Sequence, residues 1–181
     1  MPGILHVEKS PAQLSHAHLT QTFAVNTIGP LLLFKHFSSF LPTRRTPLAL
    51  APAPAPTKER ASTALPAHAV WLNMAARVGS TSDNVLGGWY SYRASKAGVV
   101  SATRGEDVWV RARAADRAMV VAYHPGTVRT GLSEGFWATV PEGKLFGVED
   151  AVRMMVGVVC GLGVAEGRGR CWDWEGKEIL P

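Results

Sequence analysis

The 181-residue chain has only two cysteines, Cys160 and Cys171, too few for a disulfide framework and with no metal-ligand spacing. Its six histidines are dispersed and form no His/Glu cluster of the kind that binds zinc. No apolar run reaches membrane-spanning length; the longest, 154–165, is interrupted by glycines at 157, 161 and 163. The N-terminal stretch MPGILHVEKS lacks a basic region followed by an apolar core, so no secretory signal is expected and a cytoplasmic, reducing location is. Long basic runs are missing as well. The net charge of +5 comes from scattered residues such as Arg44–Arg45 and Arg111/Arg113/Arg117, which describe a solvated basic surface. Neither a nucleic-acid nor a membrane partner is expected. Charged residues make up only 18% and hydrophobic ones 46%, the balance of a globular chain long enough to bury a core.

Gly3–His6 reads as the tail of a strand, and Ser10-Pro11 as a capped helix start. A helix is expected over about 19–40, where Phe23, Val25, Ile28, Leu31, Leu32 and Phe34 recur at helical spacing. Gly29-Pro30 interrupts it, and the proline ring disturbs the carbonyl of Asn26 four residues earlier. The kink is either merely tolerated or turns Asn26 toward a site. Residues 42–66 hold six of the twelve prolines, including an APAPAP run, and are expected to form a flexible insertion within one domain spanning 1–181. Buried strands are expected over 68–73 and 119–123, helices over 91–113 and 148–162 with a cap near Gly163, and a last strand over about 170–174. That alternation gives an α/β fold with a parallel sheet, and ligands bind such sheets beyond the carboxyl ends of the strands. The loops at 74–90 and 124–147 leave strands at that edge.

The first of these loops leads into a helix carrying Tyr92 and Lys96, four apart and so on one face. A phenol has a pKa of about 10, and acid–base work near neutrality requires roughly three units less, about 4 kcal/mol of preference for the phenolate. A neighbouring ammonium in a partly dry site can supply much of that. Tyr90, with Ala94 four residues on, has no such partner. The same spacing also arises as an ordinary surface pair with a snorkelling lysine.

Five segments occur in an order that resembles one family. They are FAVNTIGP (23–30), NMAARVGS (73–80), GGWYSYRASKA (87–97), HPGTVRT (124–130) and PEGKLF (141–146). The chain is similar over nearly all of 3–178 to the short-chain dehydrogenases/reductases, most of all to their C-factor-like branch. The fold implied is the C-terminal part of a doubly wound, Rossmann-type parallel sheet, N-terminally truncated. The resemblance implies hydride transfer between NADP or NAD and a small-molecule carbonyl or alcohol. Tyr92 would be the general acid/base, Lys96 would lower its pKa and hold the nicotinamide ribose, and Asn26 would anchor a water in the proton relay. Pro125, Gly126, Thr127 and Val128 would line the nicotinamide, with Thr130 near the phosphates. The loop around 132–144 would close over substrate, and helices 19–40 and 91–113 would form a homodimer interface.

Two departures accompany these matches. The family's catalytic serine falls at Ala76, and Ser80 is the candidate stand-in. The glycine-rich turn that cradles the cofactor's pyrophosphate has no counterpart; Gly161 to Gly167 has too few residues after it for the helix and strand of such a unit. Without the strands that turn belongs to, strand 68–73 is expected at an exposed edge, leaving the chain prone to association or dependent on a partner. A catalytically silent family member acting as a binding or structural subunit, or a truncated gene product, therefore stands as the alternative to an oxidoreductase.

Overall fold

A computed structural model describes residues 3–47 and 65–181. Most of the proline-rich insertion expected over 42–66 lies outside the described residues. In chain order the main elements are α1 (His16–Phe23), α2 (Gly29–Phe37), β1 (Ala69–Met74), α3 (Tyr90–Ala114), β2 (Ala118–His124), β3 (Thr127–Val128), β4 (Leu145–Phe146), α4 (Val148–Gly161), α5 (Val164–Gly167), β5 (Cys171–Asp173) and β6 (Glu178–Ile179).

The main sheet has the order β1-β2-β5-β6. The first three strands are parallel, in a register running from Ala69 opposite Ala118 to Met74 opposite Tyr123. The antiparallel β6 makes the sheet mixed rather than purely parallel, because the turn after Asp173 sends the chain straight back beside β5. Asp173 builds that turn by accepting the backbone N–H groups of Glu175 and Lys177. A separate parallel pair, β3 with β4, lies within the loop expected over 124–147.

β2 carries the core. Its residues Ala118–Tyr123 are at most 1% exposed, since strands flank it and α3 crosses it. One apolar cluster joins Val110, Ala114, Ala118 and Val120; another joins Ala75, Val99, Ala122, Cys171 and Ile179. Between them, buried Asp107 accepts the Val120 N–H and pairs with Arg168 at 2.9 Å. Among the described residues β1 pairs on one side only, and an apolar groove of about 490 Å³ between Phe37, Phe40 and Trp71 runs beside it.

Several sequence expectations need correction. Gly3–His6 is not a strand; Ile4 instead gives both backbone groups to Asn26. The helix expected over 19–40 begins earlier and is broken by a π-helical turn, Ala24–Ile28, before Gly29-Pro30. Proline cannot donate an α-helical bond to the Asn26 carbonyl, and widening the turn absorbs the defect. Gly163 does not cap the exit of α4; it is the N-cap of α5.

Candidate active site

The site is organised by the start of α3. Trp89, the N-cap, has φ 47° and ψ 43° and forms no side-chain cap. Glu8 caps the helix from a distance: its carbonyl accepts Trp89 N–H at 2.7 Å and its Oε2 accepts Ser91 N–H at 2.8 Å. A carboxylate placed there also complements the positive end of the helix dipole. Sequence reasoning missed this residue, because no local signal ties position 8 to a helix start over eighty residues later.

Along α3 the buried stripe runs Tyr92, Ser95, Lys96, Val99, Thr103, Glu106, Asp107 and Val110. The spacing is helical but much of the stripe is polar, which an ordinary core face would avoid. Tyr92 and Lys96 both face the same cavity, with Lys96 Nζ 5.7 Å from the Tyr92 ring centre. The ammonium donates to the Met74 carbonyl at 2.9 Å. Burial lowers the Lys96 pKa to about 8 and pushes the Tyr92 phenol up to about 12. The expectation of a depressed Tyr92 pKa is thus corrected: loss of solvent at the phenol outweighs the ammonium beside it. Tyr92 is held as a neutral proton donor.

Gly79 sets how closely the loop after β1 meets this helix. A Cβ there would sit 2.7 Å from the Lys96 backbone carbon. Asn26 is 2% exposed and its amide is fully engaged. Oδ1 accepts Ile4 N–H, while Nδ2 donates to the Ile4 carbonyl and to Ser95 Oγ at 3.1 Å. Ser95 Oγ in turn donates to the Tyr92 carbonyl at 2.8 Å. The Asn26 side-chain amide is thus committed to Ile4 and Ser95.

Tyr92, Lys96, Asn26, Ala76, Pro125, Gly126, Thr127, Val128 and Thr130 all line one cavity of about 580 Å³ beyond the carboxyl ends of β1 and β2. Gly126 is required on two grounds: its φ is +74°, and a Cβ would meet the Phe146 ring at 2.5 Å. The outer part of the cavity is apolar, with Trp89, Leu132, Phe136, Val152 and Met155.

Ser80 does not join them. It is 3% exposed, outside the cavity lining, and its Oγ accepts the Asp83 N–H while pairing with Ser82 Oγ. Ser80 follows the short 3-10 turn Arg77–Gly79 and is held by Ser82 and Asp83, so the expected stand-in is corrected: Ser80 supplies no hydroxyl to the cavity. Ala76 itself faces the cavity with extended backbone, φ −152°.

Two further residues went unnoticed in the sequence. Arg77 lines the cavity while binding Asp173 at 2.7 Å and Asp83 at 3.3 Å, which locks the loop to the end of β5. His124 lines it beside Pro125 with its Nδ1 buried and unpartnered. Burial, reinforced by Arg77, lowers its pKa to about 4 and keeps it neutral. Among the described residues no group of three His, Cys, Asp or Glu is placed to hold a metal, and no helix is long and apolar enough to cross a membrane.

No family model matches the chain. It is 31% identical over 166 residues to C-signal of Myxococcus xanthus, covering 92% of this chain and 80% of that protein. The NADPH-bound carbonyl reductase from chicken fatty liver superposes on all of this chain with a TM-score of 0.74 and 26% identity. The carbonyl reductase Sniffer of D. melanogaster does so with a TM-score of 0.76 and 24% identity, a likeness of fold. The chain spans 64% of the length of each of these two solved structures.

Proposed function

The chain belongs to the short-chain dehydrogenase/reductase family, and from that premise we propose that it is an NAD(P)-dependent oxidoreductase acting on a small carbonyl or alcohol. The observation that carries this reading is the convergence of Tyr92, Lys96, Asn26 and the 125–128 turn on one cavity at the carboxyl edge of the sheet. The NADPH of the chicken enzyme and the NADP of a Burkholderia multivorans relative support the same cofactor class here.

The residues present fit the nicotinamide half of such a cofactor. Gly126 leaves the backbone open to close approach, and Lys96 has spent one hydrogen-bond donor of three, so two remain for ribose hydroxyls. For the adenine half, the described residues contain no glycine-rich turn between a strand and a helix. When bound, the reduced nicotinamide supplies a hydride to the carbonyl carbon. Tyr92, neutral at working pH, gives its phenolic proton to the carbonyl oxygen as charge develops there. Lys96 steadies the phenolate left behind. Asn26 anchors the water that returns a proton. The apolar outer wall excludes bulk water and strengthens each of these interactions.

A second reading rests on Ala76. With no hydroxyl there and Ser80 turned away, the developing oxyanion lacks a second donor beside Tyr92, as in a catalytically silent family member acting only as a binding or structural subunit. Exposed Leu31, Leu32, Phe37 and Phe40, with Val108 and Trp109 on α3, support association of α2 and α3 with a second copy in either reading. We place the protein in the cytoplasm in both. Calorimetric titration with NADPH and NADH separates the readings. Binding of either supports the oxidoreductase; no binding at millimolar concentration overturns it.

A further inference from the structure

Trp89 occupies a position that local energetics disfavour twice. It follows Gly87 and Gly88 as the third successive residue with positive φ, a conformation that is rare and strained for a bulky side chain. It is also a helix N-cap, where Ser, Thr, Asp or Asn would satisfy a backbone amide and an indole cannot. The fold nevertheless enforces the conformation, because buried Glu8 holds the amides of both Trp89 and Ser91. Strain sustained in this way points to what the side chain does.

The indole lies in the cavity wall, tilted against Phe136 with ring centres 4.9 Å apart and edge-on to Tyr92 at 6.4 Å. It therefore borders the space next to the proton donor. The charged residues lining the cavity are Arg77 and Lys96. Arg77 is engaged by Asp83 and Asp173, and Lys96 donates to Met74 and keeps its two other donors for the cofactor ribose. No free charge in the lining is left to grip a carboxylate or phosphate on the substrate, while aromatic faces are at hand.

We propose that Trp89, latched in its left-handed conformation by Glu8, is the specificity-determining wall of the site and selects uncharged carbonyl compounds whose carbonyl is borne by a flat aromatic ring system. The substrate ring stacks on the indole and presents its carbonyl oxygen to Tyr92. This inference rests on the oxidoreductase reading for its chemistry, but the stacking wall can be tested by binding alone.

The experiment measures dissociation constants for 2-acetylnaphthalene, for 2-nonanone and, separately, for NADPH. The proteins are the wild type, Trp89→Gly and Trp89→Phe. Glycine suits the positive φ and removes the wall; phenylalanine keeps a ring. The wild type should prefer the naphthyl ketone. Trp89→Gly should weaken that ketone by about tenfold, the loss expected for an aromatic stack. Trp89→Phe should retain most of the affinity, 2-nonanone should lose much less than the naphthyl ketone in Trp89→Gly, and NADPH should bind all three proteins alike. Equal affinity of wild type and Trp89→Gly for the naphthyl ketone would overturn the proposal, as would no preference over 2-nonanone. NADPH binding with neither ketone bound overturns the wall and leaves the oxidoreductase reading intact. Ketone binding without NADPH binding does the reverse. Should Trp89→Gly unfold, the Trp89 indole N–H resonance of the wild type must shift when the naphthyl ketone is added, and an unmoved resonance overturns the proposal.

Discussion

Replacing Ala76 with serine should turn a poor catalyst into a better one. Ala76 is 8% exposed, lines the cavity and has extended backbone, so serine fits without strain. The main competitor for the new hydroxyl is capping: Ala76 is the N-cap of the Arg77–Gly79 turn, and a serine there could bond the Gly79 amide. That amide is already donated to the Ala76 carbonyl at 2.9 Å, which leaves the hydroxyl free to face the cavity. One oxyanion donor is worth about 100- to 1000-fold in kcat, or roughly 2.7–4 kcal/mol of transition-state stabilisation. The assay follows loss of NADPH absorbance with saturating 2-acetylnaphthalene. A rise of that order in Ala76→Ser, abolished by adding Tyr92→Phe, is the expected result. If Ala76→Ser binds NADPH and the ketone but leaves kcat unchanged, a missing oxyanion donor is not what limits this site. If its thermal stability rises by about 0.5–2 kcal/mol at unchanged kcat, the hydroxyl has turned to cap the helical turn instead.

Other perturbations test the supports of the site. Gly79→Ala drives a methyl to within 2.7 Å of the Lys96 backbone and 2.9 Å of the Ala97 nitrogen. Such overpacking should cost about 1–3 kcal/mol in a denaturant melt and reduce turnover by displacing Lys96. Glu106, on the buried face of α3, has its carboxyl pKa raised by burial to about 7, partly offset by the Asn73 hydrogen bond. Since its native pKa lies above the unfolded value, its contribution is full below about 4.5 and is lost as pH rises through about 7. Melts across that window should show stability falling with pH, and Glu106→Gln should flatten the trend. Cys171, 2% exposed, has its thiol pushed up to about 12 by burial, whereas Cys160 is partly exposed. A thiol reagent on the native protein should modify Cys160 and reach Cys171 only after unfolding, as peptide mass mapping would reveal.

Local patterning was enough to recognise most of the architecture. Apolar periodicity marks α4, and short apolar runs mark β1 and β2, because helix and strand periods follow directly from backbone geometry. Tyr92, Lys96, Asn26 and the 125–130 turn were legible for the same reason: each lies in a short motif whose spacing carries its meaning. What the sequence by itself determined, then, is the family, the α/β alternation and the pairing of Tyr92 with Lys96 on one helix face. Only the tertiary structure decided what those residues experience. Ser80 looks available four residues after Ala76, yet it is buried just after a 3-10 turn and held by Ser82 and Asp83 outside the cavity. Tyr92 next to a lysine reads as an activated phenol, yet burial of the phenol outweighs the nearby ammonium. Glu8 carries no motif, and the segment 87–97 that contains Trp89 assigns it no role; their roles arise where a loop from one end of the chain meets a helix start from its middle. Hydrogen-bond partners and solvent exposure depend on contacts between distant segments, and so do the pKa values and the strained backbone that shape this site.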